Sequence, residues 1–321
     1  VTPVLPTVSD STSRWARTRA TRVCVPAGAK VNLGLRISGM RPDGYHLLDS
    51  LVVPIRVFDM LNICAGPRRV GAAPISISCE PPNAAPANDS NLAWRAAALY
   101  CGRVGLDLAL EITIRKGIPA GGGFGGGSSD AAATLRALNA LSPSPIPPAT
   151  LAEWALDLGA DVPFFLYGRP ARMGGVGEVL EPVSMSSLPS SLAALVVVFP
   201  GVGLSTAEVY GKFDGSLTRV GGKSMFRAPS AGNGSLREEL RNDLEPAATS
   251  LLPKLKELKR GLRALGARDV VMTGSGSGMF GIWNRGDDAR AAAAWFRARG
   301  VWARATGIVE QLPAIEMDDA T

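Results

Sequence analysis

The chain has 321 residues, 46% of them hydrophobic and 19% charged, with a net charge of +6. That length suits one large or two modest domains with proper cores, and that composition excludes a disordered chain. No apolar run reaches bilayer-spanning length, and the aromatics are too few for a stacking platform, so neither membrane nor nucleic acid is expected as a partner.

Residues 1–22 are rich in Ser, Thr, Pro and Arg and lack periodicity, so they read as a disordered extension. They lack the apolar core of a secretory signal, and they are short and poorly amphipathic for a transit peptide. Arg14, Arg17, Arg19 and Arg22 against Asp10 supply +3 of the net charge, which leaves the body unremarkable for nucleic-acid binding. Four scattered Cys (Cys24, Cys64, Cys79, Cys101) and one His argue against a disulfide framework or structural zinc, and make a reducing cytoplasm the expected setting.

Strands are predicted over 23–25, 31–37, 51–57, 61–65 and 75–79, with a turn at Arg41-Pro42-Asp43-Gly44. Asp89-Ser90-Asn91 caps a helix running to about residue 104. A strand over 108–114 leads into a glycine-rich loop, and a helix over 128–141 follows it. A short helix over 148–158 precedes new segments at 164–167 and 171–177. A buried strand over 192–199 follows. Helices over 235–245 and 247–265 are expected to break at Pro246 and Gly266. Strands over 270–272 and 278–283 flank a second glycine loop, and a helix over 287–299 and a strand over 301–308 close the chain. Without regular βαβ alternation this is α+β, with a domain boundary near residue 170.

The run Pro119-Ala-Gly-Gly-Gly-Phe-Gly-Gly-Gly-Ser-Ser-Asp-Ala131 is the most informative stretch. Its glycines let backbone N–H groups converge on one point, and the positive end of the following helix faces the same way. This is an anion site, and phosphate is the usual anion. Gly121, Gly123 and Gly126 match the dinucleotide pattern formally, but no fitting βαβ unit with a ribose-binding acid follows. Gly222-Lys223-Ser224 has a Walker ending, with Leu217 where the first Gly should be.

A phosphate loop also needs a group to handle the acceptor's proton. The candidates are Asp161, in Gly-Ala-Asp-Val-Pro just past a helix, and Lys30, within an apolar strand. Asp161 is either a turn former or a base, and Lys30 is either a snorkelling surface residue or a buried partner. If close, the carboxylate takes the proton of an attacking hydroxyl while the ammonium offsets phosphoryl charge. His46 follows Tyr45 on a tight turn, where ring and nitrogen could read a flat base. The second loop, Thr273-Gly274-Ser275-Gly276-Ser277-Gly278, offers donors to another anion or serves only as a turn.

Together these segments resemble the GHMP small-molecule kinases. The matching stretches run in family order over roughly residues 23–310: Lys30-Val31-Asn32-Leu33, Asp43-Gly44-Tyr45-His46, Asn91-Leu92, Lys116 to Ala131, Gly159 to Pro163, Asn242-Asp243-Leu244, and Thr273 to Gly278. The resemblance implies a two-domain α+β fold: a ribosomal-S5-like N-terminal domain over 23–170, a ferredoxin-like C-terminal domain over 171–310, and a tail over 311–321. It implies ATP, carried as Mg-ATP with no protein metal ligand assigned. The nucleotide would lie over Pro119, Gly121, Gly122, Gly123, Gly125, Gly126, Gly127, Ser128 and Ser129, with Asn91 and Lys116 holding its adenosine. It implies that Lys30 and Asp161 act on the substrate hydroxyl.

Asp-Gly-Tyr-His combined with Gly-Ala-Asp-Val-Pro points, by the same resemblance, to a cytidine-bearing substrate, 4-diphosphocytidyl-2-C-methyl-D-erythritol. Asn32, Tyr45 and His46 would bind its cytidine end, and Tyr210 would stack on the other face of the base. Thr273 and Gly274 would also contact substrate. A monomer or homodimer is expected. The rivals are a GHMP kinase for homoserine, mevalonate or a sugar, and a non-catalytic basic protein on an S5-like fold. The chain departs from the family's pattern in Gly28-Ala29 inserted before Lys30, in Phe124 for a usual Leu, and in residues 1–22.

Overall fold

Two long antiparallel strands, β1 (Thr21–Met40) and β2 (His46–Pro67), form the spine of the fold. The computed structural model describes residues 21–67, 73–189, 192, 194–217 and 239–317. The expected extension therefore lies outside the described residues up to position 20, as does Gly222-Lys223-Ser224. Around the spine come β3 (Ile75–Glu80), α1 (Leu92–Val104), β4 (Leu108–Arg115), α2 (Gly126–Leu141), α3 (Pro148–Leu156), α4 (Val162–Tyr167), β5 (Ala171–Gly174) and β6 (Val179–Pro182). The second half holds β7 (Ala194–Phe199), α5 (Thr206–Leu217), α6 (Glu245–Leu251), α7 (Lys254–Ala264), β8 (Asp269–Met272), β9 (Met279–Trp283), α8 (Gly286–Arg297), β10 (Trp302–Thr306) and β11 (Glu316–Met317).

The first sheet has the order β11-β1-β2-β4-β3, with β5 paired to β2 and β6 to β5; the second has the order β10-β7-β9-β8. Three apolar clusters form the core: one lies between the first sheet and its helices, one between the two sheets, and one between the second sheet and its helices; the second and third hold residues of both sheets. Val23, Val25, Leu61, Ile63, Ile112 and Ile114 pack with α1, α2 and α4 residues such as Ala97, Leu135 and Phe164. Val31, Leu33, Val53 and Ile55 meet Leu195, Val197, Phe280 and Ile282, so sheet packs on sheet. Val196, Val198 and Met279 face α7 and α8 through Leu258, Leu262 and Phe296. Strand β7 is thus buried on both faces, which explains its unbroken apolar run.

Several expectations need correction. The segments over 23–25 and 31–37 are one strand, as are those over 51–57 and 61–65. Bulges carry the strands past their Gly and Pro residues: the register shifts between Gly28 and Ala29, Asn32 and Gly34, and Ile37 and Gly39. At the first shift Arg56 turns away from β1 and donates its N–H to Gly307 O. The inserted Gly28 fits because a Cβ there would lie 2.3 Å from Leu312 Cδ2.

Residues 164–167 are helical. Strands β5 and β6, expected beyond a boundary near residue 170, hydrogen-bond into the first sheet. The expected tail is also part of that sheet, since Cys24 pairs with Glu316 and Leu312 is buried. The helix expected over 235–245 does not extend through 240–244; there Leu35 pairs in parallel with Asn242. Pro246 does not break a helix but occupies the first turn of α6, where its missing N–H costs nothing. The break falls instead at Leu252-Pro253, between α6 and α7.

Candidate active site

The glycine loop and the second loop dock on each other by backbone contact. Gly278 N donates to Gly122 O at 3.0 Å, and Ser277 N to Gly121 O at 3.4 Å. A Cβ at Gly123 would lie 2.3 Å from Thr273 O, and one at Gly278 would lie 2.3 Å from Gly122 O. Only glycine permits this approach, and Gly121, Gly123 and Gly125 also have positive φ near 70°. Gly125 is the N-cap of α2, which offers no side-chain cap and no acid in its first turn. The N–H groups of Gly126, Gly127 and Ser128 therefore open the helix without an intrahelical partner. The Ser129 hydroxyl is buried there without a hydrogen-bond partner. Pro119 leads into the loop, and Gly127 is exposed, with no atom closer than 3.5 Å to a Cβ built on it.

Lys30 lies beside this loop. Its backbone N–H donates to Phe124 O at 3.0 Å, and its side chain passes Gly125, whose Cβ would sit 3.2 Å from Lys30 Cγ. Lys30 Nζ donates to Asn32 Oδ1 at 2.6 Å and stands 3.6 Å from Asp161 Oδ2. The lysine is 4% exposed and the Asp161 side chain 35%, so the carboxylate faces the opening. Asp161 sits just before α4 and makes no cap hydrogen bond. Its carboxylate is committed to the ion pair and not to the turn.

Asn32 was expected at the cytidine end. Its hydrogen bonds lie elsewhere. Oδ1 accepts Lys30 Nζ, Thr273 Oγ1 at 3.2 Å and Gly274 N at 2.9 Å, while Nδ2 donates to Ser50 Oγ at 2.8 Å. Its N–H donates to Thr273 Oγ1 at 3.0 Å. Asn32, Thr273 and Gly274 thus form one buried lock that ties Lys30 to the second loop.

His46 Nε2 lies 2.7 Å from Asp214 Oδ1, and its ring is 4.7 Å from that of Tyr210 on α5. Two stacking gaps on either side of a flat base need about 7–8 Å. No base fits between His46 and Tyr210 in this arrangement, where the two rings pack on each other. Burial pushes the Tyr210 hydroxyl up to about 12, with the charges of Asp161 and Asp214 adding to it. The charge of Asp161 is thus felt at Tyr210 as well as at Lys30. Tyr45, 64% exposed on its turn, keeps a free ring face.

The two side chains expected to hold adenosine have structural duties. Asn91 caps α1, with Oδ1 accepting Ala93 N at 2.9 Å and Nδ2 donating to Pro86 O at 2.7 Å. Lys116 donates to Asp59 Oδ2 at 2.5 Å and to Asp130 Oδ2 at 2.7 Å. Burial opposes the charge on Lys116, but the two carboxylates outweigh it and raise its pKa. Asp59 Oδ1 accepts Gly117 N and Ile118 N, so this cluster braces the chain entering the loop. Asp130 is pushed up by burial first, against the pull of Lys116, and its Oδ1 has no hydrogen-bond partner. Asp59, Asp130 and Asp214 were not singled out from the sequence. An acid between Phe58 and Met60 in an apolar strand was the available signal for Asp59.

Residues 91–169 match the GHMP kinases N terminal domain, and residues 230–301 match the GHMP kinases C terminal domain. A 4-diphosphocytidyl-2-C-methyl-D-erythritol kinase of Chlorobium phaeobacteroides is 40% identical over 86% of this chain and 94% of its own length. One from Thermus thermophilus is 40% identical over 88% of this chain and 95% of its own. The chain belongs to the GHMP kinase family. A crystal structure of 4-(cytidine 5'-diphospho)-2C-methyl-D-erythritol kinase aligns with a TM-score of 0.70 at 39% identity, covering 88% of this chain and 99% of that one. A homoserine kinase from Cytophaga hutchinsonii, at 18% identity and a TM-score of 0.62, shares the fold.

Proposed function

We propose that this chain transfers the γ-phosphoryl group of ATP to the C2 hydroxyl of 4-diphosphocytidyl-2-C-methyl-D-erythritol, a step towards isoprenoid precursors. The observation that carries the reading is the Lys30–Asp161 pair, a buried ammonium beside the glycine loop with a partly exposed carboxylate 3.6 Å away. The names of relatives alike over nearly their full length support the substrate.

The residues fit the nucleotide. The open N–H groups at the start of α2 and the buried Ser129 hydroxyl suit phosphate oxygens. Among the described residues no group of three or more His, Cys, Asp or Glu could hold a metal ion. Mg2+ needs only one or two carboxylates beside the nucleotide phosphates, so it would come with ATP. When bound, that ion would neutralise charge on the nucleotide phosphates.

The acceptor hydroxyl attacks the γ-phosphorus while Asp161 takes its proton; the bond to the ADP oxygen breaks, and Asp161 returns the proton to solvent. Lys30, held by Asn32, sets its positive charge against the charge on the transferring group. Tyr45, His46 and Tyr210 form the apolar and polar surface for the cytosine. His46 and Tyr210 pack on each other at a tilt of 36°, so the base takes an outer ring face, with the exposed ring of Tyr45 available to it.

The test is ADP release by purified protein with Mg-ATP and, in parallel, 4-diphosphocytidyl-2-C-methyl-D-erythritol, homoserine, mevalonate or a hexose. Release with the first alone supports the reading. Turnover only with another alcohol keeps the kinase and removes this substrate.

A further inference from the structure

We propose that Asn242 is a positioning residue for the Lys30–Asp161 pair, acting through the second glycine loop; this rests on the phosphoryl-transfer reading above. Asn242 is 6% exposed, and each of its amide atoms is used. Nδ2 donates to Met272 O and to Gly274 O, both at 2.8 Å, and Oδ1 accepts Leu244 N at 2.9 Å. One side chain thus grips both the end of β8 and the loop that follows it.

The grip is anchored to the other sheet. Leu35 N donates to Arg241 O at 2.8 Å, and Asp243 N donates to Leu35 O at 2.9 Å, which zips this segment onto β1. Asp243 Oδ2 accepts Ile37 N at 3.0 Å on the same strand. Asn242 therefore fixes the loop relative to β1, three residues beyond Asn32.

From Gly274 the connection to the reacting groups is short. Gly274 N donates to Asn32 Oδ1, the same atom that accepts Lys30 Nζ. Gly274 is held from both sides of its peptide backbone: its carbonyl by Asn242, its N–H by Asn32. Without the Asn242 amide, the carbonyls of Met272 and Gly274 lose their donor, and the loop is free to shift by a fraction of an ångström. Asn32 Oδ1 then loses its fixed place, and Lys30 with it. Asn242 is buried and its amide is fully used within the protein, so its effect is expected in the chemical step rather than in binding.

The experiment compares wild type, Asn242→Ala, Asn242→Ser and Asp161→Asn, with kcat and both KM values normalised to folded protein by near-UV circular dichroism and melting temperature. A misplacement of about 1 Å at a reacting group can cost on the order of a hundredfold. The expected result is a fall in kcat of about 10- to 100-fold in Asn242→Ala, with both KM values within about threefold of wild type, and partial recovery in Asn242→Ser, which keeps one donor. A lower melting temperature with unchanged kcat, a loss confined to KM, or failure of both Asn242 variants to fold would overturn the proposal and leave Asn242 a role in the fold alone. Silence of the wild type would instead remove the phosphoryl-transfer reading itself; full kcat in Asn242→Ala beside an active wild type and a silent Asp161→Asn removes only this inference.

Discussion

Two glycines of the same loop answer to different constraints, and replacing each by alanine separates them. At Gly123 φ is +71°, and a Cβ would lie 2.3 Å from Thr273 O and 3.1 Å from Gly276 O. The left-handed backbone costs about 1–2 kcal/mol for a residue with a Cβ. The overlap is with main-chain oxygen of the docked loop, which has no side-chain rotamer to swing aside, and overpacking of that kind costs about 1–3 kcal/mol. Gly123→Ala should therefore lose about 2–5 kcal/mol, a large part of an ordinary domain's stability. At Gly127, in the first turn of α2, the nearest atom to a Cβ is Leu92 Cδ1 of α1 at 3.5 Å, an ordinary van der Waals contact. Gly127→Ala should be neutral or gain up to about 1 kcal/mol, yet raise KM for ATP by crowding the phosphates. Urea unfolding and steady-state kinetics on both variants measure this. A Gly123→Ala protein within about 0.5 kcal/mol of wild type, or a Gly127→Ala protein with unchanged KM for ATP, would refute the reasoning.

Other perturbations give distinct signatures. His46→Ala removes a ring contact and a hydrogen bond to Asp214, and should raise KM for the cytidylyl substrate about tenfold while barely moving KM for ATP; equal loss for both substrates would mark His46 as structural. Burial pushes Asp130 from 3.8 up to about 8, so the folded chain binds this proton more tightly than the unfolded one. Its contribution to stability is then full below about pH 4 and lost as pH rises through about 8. In melting curves taken across that window, Asp130→Asn should flatten the decline with rising pH, and a variant whose curve parallels wild type would contradict the assignment.

The sequence exposed much of this architecture where one signal dominates. The apolar run of β7, the Asn91 cap, the helix after the glycine loop and the loop itself each follow from local residue chemistry. Long strands with bulges were harder, because Pro26, Gly28, Gly34 and Pro54 read as interruptions in any local window, while the opposing strand supplies the pairing that carries the chain through. The pairing of β5, β6 and β11 with the first sheet is long-range, and no periodicity reveals it.

In the site, Lys30 and Asp161 were legible as candidates and the structure brings them together. Asn32, Asn91 and Lys116 could be found as motif residues, but their side-chain duties could not. A cap, a buried ion-pair cluster and a loop lock depend on partners 14 to 242 positions away or on backbone geometry. Asp214 stands on a helix surface that carries no motif-like signal of its own, and Asn242 could be found as a motif residue while its grip on Met272 O and Gly274 O could not.

The most direct test of the central claim is single-turnover phosphoryl transfer by wild type and Asp161→Asn, both saturated with Mg-ATP and 4-diphosphocytidyl-2-C-methyl-D-erythritol. A general base contributes about 10²-fold or more, so the account predicts a loss of at least that size in the rate of transfer, with both substrates still bound. Transfer at close to the wild-type rate in Asp161→Asn would contradict it.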